Sequence, residues 1–162
     1  MIFQLSGTWA IAVNIVVWLT IHVGISVSIA RMRPDSFNPR SWLYRQRVWE
    51  KRGRAYKALL KVKKWKRLLP DGAAVFKRGF RKKRLTGRHP AYIQTFILET
   101  CRAELTHWVI LAWSPIFFIW NEWWIGLIMV GYGLVVNMPC IVAQRYNRIR
   151  LNRMHARYAR RR

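Results

Sequence analysis

Acidic residues are nearly missing from this sequence. Its 162 residues include 6 Asp and Glu against 30 Lys and Arg, which gives a formal net charge of +24. A charge of this sign first suggests a nucleic-acid or anionic-membrane partner. Yet 52% of the residues are hydrophobic and ten are Trp, which excludes a disordered basic tail. The position of the charges relative to the apolar residues therefore decides the class.

Motifs for the common catalytic and metal sites are also missing. The sequence has no glycine-rich phosphate loop, no serine nucleophile elbow and no Cys/His metal spacing, so no metal and no resident cofactor are expected. The Glu104-x-x-His107 spacing occurs in di-iron helices, but six acids are too few for such a site. Cys101 and Cys140 are expected to stay reduced. As a nucleophile Cys101 is disfavoured, because about 120° of helix separates it from His107.

Three long runs contain no charged residue, and they cover residues 8–30, 105–120 and 123–143. The first and third are long enough, as helices, to cross a hydrocarbon core of ~30 Å. A cleavable signal peptide is disfavoured for the first run, since no basic residue precedes it. We predict transmembrane helices over 8–30, 103–120 and 123–143, with a tight turn at Asn121–Glu122 between the last two.

The positive charges all lie between or after these runs. Residues 31–90 carry 21 of them, Arg102 is one more, and residues 145–162 carry eight. The positive-inside rule then places the amino terminus outside and the carboxyl terminus inside. The sequence therefore predicts a multi-pass protein of the bacterial cytoplasmic (inner) membrane, with a cytosolic segment 31–102 and a basic cytosolic tail 144–162.

The cytosolic segment has too few apolar residues to bury a core of its own. Between residues 54 and 69 the apolar residues fall mostly at helical spacing among lysines, as in a helix lying on an anionic leaflet. Pro90 is placed as the first residue of a further helix that continues into the second span. The predicted fold is an all-α integral membrane domain over residues 1–162, with three transmembrane helices and a basic amphipathic interfacial segment.

Ionisable residues near a bilayer indicate a functional or structural role, because placing one at the centre of a transmembrane helix costs roughly 2.5–3.5 kcal/mol of free energy. On a helix, Glu104 lies about 60° and Glu99 about 80° from His107. A carboxylate beside an imidazole favours general-base catalysis on a hydroxyl. We predict His107 as a catalytic residue with Glu104 or Glu99, and the sequence does not decide between the two. The alternative is a helix anchored by Glu99 and Arg102 with a structural histidine.

A polar stripe follows the cytosolic half of the third span. Asn137, Gln144 and Arg148 align on a helical wheel, and Arg145 and Asn147 lie beside them. Clustered arginines with amides suit the recognition of a phosphate or a carboxylate, because each guanidinium can bind two oxygens at once. The alternative is an ordinary basic flank after a transmembrane helix, which is favoured from Arg150 onward.

Three blocks of residues together resemble a known family. They are Lys64-Trp65-Lys66 with Asp71-Gly72, then Glu99-Thr100-x-Arg102-Ala103-Glu104-x-x-His107-Trp108, then Asn137-x-Pro139 with Gln144-Arg145-Tyr146-Asn147-Arg148-x-Arg150-Leu151. The pattern is similar to the glycosyl-4,4′-diaponeurosporenoate acyltransferases, small bacterial membrane enzymes of staphyloxanthin-type carotenoid biosynthesis. The resemblance implies transfer of a fatty acyl group to a sugar hydroxyl of a membrane glycolipid. The donor would be a co-substrate such as an acyl-CoA or acyl carrier protein thioester.

This chemistry suggests a role for each candidate residue. His107 would take the proton of the acceptor hydroxyl, and Glu104 or Glu99 would orient it. The predicted substrate-binding residues are Arg102, Asn137, Gln144, Arg145, Asn147, Arg148, Lys64 and Asp71.

The expected partners are anionic inner-leaflet lipids, a lipid-linked acceptor, the acyl donor and a second copy of the chain, with no nucleic acid. Two other functions are considered. One is a non-catalytic lipid-binding or assembly subunit. The other is a membrane-tethered nucleic-acid binder, which would lack any recognisable recognition module.

Overall fold

The computed structural model of the chain describes residues 7–66, 68–69 and 89–160. Within these residues lie five α-helices: α1 (Gly7–Ala30), α2 (Arg54–Ala58), α3 (Val62–Trp65), α4 (Pro90–Trp113) and α5 (Trp123–Ala159). Three 3₁₀ segments, Pro34–Ser36, Val48–Gly53 and Ser114–Ile119, complete the regular structure of this part, which contains no strand. The predicted all-α class is confirmed. Asp71 and the basic stretch 77–88 lie outside the described residues.

Two helices of the described chain, α1 and α5, are long and apolar enough to cross a membrane. The prediction of three transmembrane α-helices was therefore wrong in its count. The predicted helix 103–120 is divided, because α4 ends at Trp113 and residues Ser114–Ile119 form 3₁₀ turns. Pro115 lacks the N–H that would continue the α-helical hydrogen bonds. The half of α4 before residue 105 also carries charged residues, so α4 as a whole is not an uncharged span.

The predicted interfacial helix over 54–69 is also divided. It forms the short helices α2 and α3, and between them Lys61 has a left-handed backbone with φ 46°. The apolar side chains of Tyr56 and Val62 are buried against Tyr146 and Ile149 of α5. The segment is thus a folded layer on α5 rather than one amphipathic helix.

Helices α4 and α5 extend further than the predicted spans. α4 begins at Pro90, as predicted from the position of this proline. α5 runs for 37 residues with Pro139 inside it. The predicted third span 123–143 and most of the predicted tail 144–162 are therefore one helix.

The described residues pack as two compact units. The first, here called the apolar unit, comes from Met1–Met32 and Leu105–Pro139. Its core contains Trp18 and Ile21 of α1 with Ile110 and Phe117. Asn14 of α1 and Asn121 form a buried reciprocal amide pair, with N···O distances of 3.0 and 2.8 Å. Nε1 of Trp120 also donates to Oδ1 of Asn14, at 2.8 Å.

The second unit, here called the basic unit, comes from Arg33–Glu104 and Cys140–Arg162. One core cluster contains Tyr56, Val62, Tyr146 and Ile149. Another joins the first turns of α4 to the last turns of α5, where Ile93, Phe96, Ile97 and Leu151 are buried together. The start of α4 therefore packs beside the end of α5, as in an antiparallel helix pair.

Candidate active site

His107 and Asn137 form a polar pair inside the apolar unit. α4 carries the half-buried His107, and α5 carries Asn137, whose side chain is completely buried. Nδ1 of His107 lies 2.9 Å from Oδ1 of Asn137. From the sequence, we expect Glu104 or Glu99 to be the partner of His107. In the structure, the partner of Nδ1 is the side-chain amide oxygen of Asn137.

The hydrogen bonds of Asn137 fix the tautomer of His107. Nδ2 of Asn137 donates to the carbonyl of Gly133 at 2.9 Å, so Oδ1 is the atom that faces the imidazole. An amide oxygen only accepts, and Nδ1 of His107 must therefore carry the proton. In a neutral imidazole this leaves the lone pair on Nε2. The pair thus holds His107 as a base with a defined basic nitrogen.

A second polar cluster lies in the basic unit, where Arg145 joins two buried carboxylates. Its Nε donates to Oε1 of Glu50 at 3.0 Å, and its Nη1 donates to Oε1 of Glu104 at 2.8 Å. Both glutamates are 0% exposed. Nη1 and Nη2 of Arg145 also donate to the carbonyls of Leu43 and Arg45, at 3.0 and 3.2 Å. The charge of Arg145 is therefore balanced inside the protein.

Arg148 completes this cluster from the next turn of α5. It is 2% exposed, its Nη2 pairs with Oε2 of Glu104, and its Nε donates to the carbonyl of Tyr44 at 3.2 Å. Its Nη1 is buried and has no hydrogen-bond partner among the described residues. Two arginines thus face two glutamates, and one guanidinium donor is left over.

Two tyrosines border the cluster and stay protonated at neutral pH. The hydroxyl of Tyr56 donates to Oε1 of Glu50 at 2.5 Å. Burial, followed by this hydrogen bond, raises the pKa of Tyr56. Burial also raises the pKa of Tyr44 to about 12, and the negative charge of Glu104 adds to this effect. Both hydroxyls are therefore hydrogen-bond donors rather than bases.

The other predicted site residues of the basic unit contact side chains other than those of Glu50 and Glu104, or are buried or exposed. Glu99 and Arg102 form an ion pair on α4, and the guanidinium of Arg102 lies 5.4 Å from the ring centre of Phe37. Oδ1 of Asn147 accepts from Nζ of Lys66 at 2.8 Å. Oε1 of Gln144 is buried without a partner among the described residues.

Lys64 is exposed on α3. The predicted role of Asp71 cannot be placed, because this residue lies outside the described ranges.

Sequence reasoning missed Glu50 and Tyr56 as members of the cluster. They lie in a segment predicted to rest on the membrane, 95 and 89 residues before Arg145 in the chain. Glu50 is nevertheless one of only six acids, and a buried arginine needs a carboxylate partner. The scarcity of acids was the signal that could have identified Glu50.

Comparison with known proteins bears on the chemistry of these residues. Residues 39–157 match the family model of glycosyl-4,4′-diaponeurosporenoate acyltransferase. The chain belongs to this family.

Two relatives carry the same name. The protein from Staphylococcus haemolyticus strain JCSC1435 is 36% identical over 135 residues, which are 83% of this chain and 78% of the relative. The protein from Staphylococcus aureus strain bovine RF122 is 29% identical over 137 residues, which are 85% of this chain and 82% of the relative. No solved structure matches the chain.

Membership of the glycosyl-4,4′-diaponeurosporenoate acyltransferase family makes the chain an acyltransferase. Acyl transfer needs either a nucleophilic side chain or a base that activates the acceptor hydroxyl. Cys101 fits the first role poorly, since it is fully buried and burial raises the pKa of its thiol to about 11. The His107–Asn137 pair fits the second role.

Proposed function

We propose that the chain transfers a fatty acyl group from a thioester donor to a sugar hydroxyl of a glycosylated carotenoid or a similar membrane glycolipid. The relatives' names give the acceptor class, and the bond between Nδ1 of His107 and Oδ1 of Asn137 carries the proposal for the chemistry. The donor is a thioester of coenzyme A or of acyl carrier protein, used as a co-substrate. Asn137 acts as a positioning residue for His107.

The proposed reaction follows from the tautomer. Nε2 of His107 takes the proton of the acceptor hydroxyl while the hydroxyl oxygen attacks the thioester carbonyl. The tetrahedral intermediate collapses, the C–S bond breaks, and the imidazolium returns the proton to the leaving thiolate. An ester and a free thiol are formed, and His107 ends in its starting state. Asn137 holds the ring throughout, because its oxygen accepts from Nδ1–H in both protonation states.

We retain a binding role for residues of the basic unit. Lys66 with Asn147 offers a polar pair at half-buried positions, whereas the Nη1 donor of Arg148 is buried and would bind an anionic oxygen only if the cluster opened. Glu104 supports this role indirectly, since it fixes Arg145 and Arg148. The predicted roles of Arg102, Gln144, Lys64 and Asp71 stay predictions, as does the pairing of His107 with Glu104 or Glu99.

We also propose a multi-pass arrangement in the bacterial inner membrane, with the amino terminus outside and the carboxyl terminus inside. Apolar side chains of α1 and α5 are exposed, among them Trp9 at 68% and Val135 at 74%. Two crossings alone would put the eight positive charges after residue 144 on the outer side, against the positive-inside rule. The charges therefore favour a third crossing that is not one α-helix: residues 105–120, the remaining uncharged run, form α-helix to Trp113 and then 3₁₀ turns.

The 3₁₀ turns lengthen this third crossing compared with an α-helix of the same residues. Nine residues of α-helix from Leu105 to Trp113 span about 13 Å at 1.5 Å each. Six 3₁₀ residues, Ser114–Ile119, rise about 2.0 Å each and add about 12 Å. The sum approaches the ~30 Å of a hydrocarbon core. The more extended 3₁₀ turns thus compensate for a run that is short for an α-helix.

A first experiment tests the base. In membranes that contain the full chain, His107→Gln should lower acyl transfer by about 10²–10⁴-fold, the usual contribution of a general base. His155→Gln removes another of the four histidines and serves as the matched control, with wild-type activity expected. Full transfer by His107→Gln would overturn the assignment, and it is the result that a non-catalytic lipid-binding subunit predicts.

Variants of Asn137 separate positioning from packing. Asn137→Leu keeps the volume and removes the acceptor, and Asn137→Asp keeps an acceptor facing Nδ1. We expect kcat to fall strongly in the first variant and less in the second, with KM changed little in both. Equal losses in the two variants, in step with lost thermal stability, would contradict a positioning role. Lipid mass spectrometry of cells with and without the gene identifies the acceptor as the species that shifts by one acyl chain.

A further inference from the structure

A cavity lined by four arginines lies at the surface of the basic unit. Its volume is about 380 Å³, and its lining residues are Arg52, Arg153, Ala156, Arg157 and Arg160. No acidic residue is among them. None of these arginines belongs to the proposed catalytic or substrate-binding residues.

The position of three of these arginines at the end of α5 explains why they converge. Arg153 and Arg157 are spaced i, i+4 and share one face of the last turns of α5, and Arg160 follows in the turn directly after the helix ends at Ala159. Ala156 lies between them, and its small side chain leaves the space that forms the cavity. Like charges at this spacing repel each other, so an anion bound between them would relieve the repulsion.

The fourth arginine comes from a segment with an unusual backbone. Lys51 and Arg52 have left-handed conformations with φ 45° and 55°, followed by Gly53 at φ 84°. Non-glycine residues rarely adopt this conformation, and two in succession are unfavourable. The carbonyl of Arg52 accepts from Nη1 of Arg153 at 3.1 Å. This bond ties the segment to the arginine face of α5.

The acidic residues of the described chain form ion pairs or hydrogen bonds with groups outside the cavity. Glu50 and Glu104 are paired with Arg145, Glu99 with Arg102, and Asp35 with Arg33. Glu122 accepts from Trp124 in the apolar unit. The four arginines of the cavity thus converge without any of these carboxylates as a counter-ion.

From this geometry we infer that the cavity is a binding site for a phosphate ester. Guanidinium groups bind phosphate oxygens in pairs, and several arginines around one cavity suit a dianionic or clustered phosphate. Such a group is present in a nucleotide-type thioester donor and in the head group of an anionic phospholipid. The inference goes beyond the proposed acyl transfer and does not depend on it, because binding is measured without turnover.

The test uses the purified full chain in nanodiscs and coenzyme A as the probe. Arg157→Gln/Arg160→Gln removes two arginines of the cavity, and glutamine preserves helix propensity. Arg40→Gln/Arg54→Gln removes the same charge from exposed positions outside the cavity and is the matched control. Circular dichroism checks that both variants keep the helix content of the wild type.

Two arms distinguish the source of the phosphate. In phosphatidylcholine nanodiscs, a soluble donor predicts that the cavity variant binds coenzyme A at least about tenfold more weakly than the control variant does. For coenzyme A without its 3′-phosphate, the difference between the two variants should be smaller. A lipid head group predicts instead unchanged coenzyme A binding and a loss of co-purified phosphatidylglycerol, measured by native mass spectrometry. Either result supports the site. Equal behaviour of the cavity variant and the control in both arms would overturn it.

Discussion

Nη1 of Arg145 lies 2.8 Å from Oε1 of Glu104, and the two side chains are 12% and 0% exposed. A buried ion pair of this kind gains little over an apolar pair of the same shape, since both charges must leave water. Removing one partner alone is different, because it leaves the other charge buried and unbalanced. Glu104 has two such partners, so the basic unit should be especially sensitive to its loss.

Glu104→Gln should therefore destabilise the fold by about 3–5 kcal/mol, since Arg145 and Arg148 lose the charge that they share. The free energy of unfolding in detergent, from denaturant titration followed by circular dichroism, measures this loss. Glu122→Gln removes one negative charge from an exposed residue and should change stability by less than about 1 kcal/mol. Similar losses in both variants would show that Glu104 does not balance the two arginines.

Tyr44 makes a prediction for alkaline pH. Its pKa is about 12 in the folded chain and about 10 when exposed, and burial is the main cause. Because burial favours the neutral hydroxyl, the raised pKa makes a contribution to stability that is fully present below pH 10. This contribution is lost as the pH rises from 10 to 12, where the unfolded chain ionises first. Phenylalanine cannot ionise, so Tyr44→Phe should lose less stability than the wild type over this range. Parallel stability curves for the two proteins would contradict the buried environment of this hydroxyl.

Much of the fold follows from local patterns in the sequence. Uncharged runs predict α1 almost to the residue, and Pro90 predicts the start of α4. Where the prediction failed, the cause was a backbone conformation that periodicity does not encode. Lys61 adopts a left-handed conformation although it is not glycine, and it divides the predicted interfacial helix. The 3₁₀ turns after Trp113 have a local signal in Pro115, which the prediction of a continuous span over 103–120 did not use.

The sequence selected candidate site residues, and it could suggest pairs only within one helix. The cost of ionisable groups near a bilayer selected Glu99, Glu104 and His107, and the polar stripe selected Arg145 and Arg148. The pairs that the structure forms join residues far apart in the chain, 30 positions for His107 with Asn137 and 95 for Glu50 with Arg145. A helical wheel compares residues within one helix, so it could offer only Glu104 and Glu99 as partners of His107 and could not find Asn137 on α5.

The amide pair of the apolar unit should couple α1 to the turn before α5. Asn14→Ala and Asn121→Ala each remove both bonds between the amides, and each should cost about 1–3 kcal/mol, although Asn121 keeps its bond to the carbonyl of Phe117 and Asn14 keeps its bond from Trp120. The double variant should cost clearly less than the sum, because both ends of the same bonds are removed. Asn152→Ala, at an exposed position of α5, is the control for loss of an asparagine. Additive losses would mean that the two residues do not share their bonds.

Two glycines of α5 test the 3₁₀ turns that replace the end of the predicted second span. A Cβ atom at Gly126 would overlap the ring of Phe118, which belongs to the 3₁₀ segment, whereas a Cβ atom at Gly131 meets nothing within 4 Å. Gly131→Ala should stabilise the chain by up to about 1 kcal/mol, since alanine favours the helix. Gly126→Ala should destabilise it by about 1–3 kcal/mol, because the ring must move out of a packed position.

The two substitutions are chemically identical and lie in the same helix, so their difference isolates the contact with Phe118. Thermal unfolding in one detergent measures both, and the midpoints should shift in opposite directions. Phe118→Ala in the Gly126→Ala background removes the ring that the new methyl group would overlap. This second change should therefore recover part of the stability lost through Gly126→Ala. A stabilising effect of Gly126→Ala by itself would mean that Phe118 does not pack on α5 at this position, and the 3₁₀ path of residues Ser114–Ile119 would then be wrong.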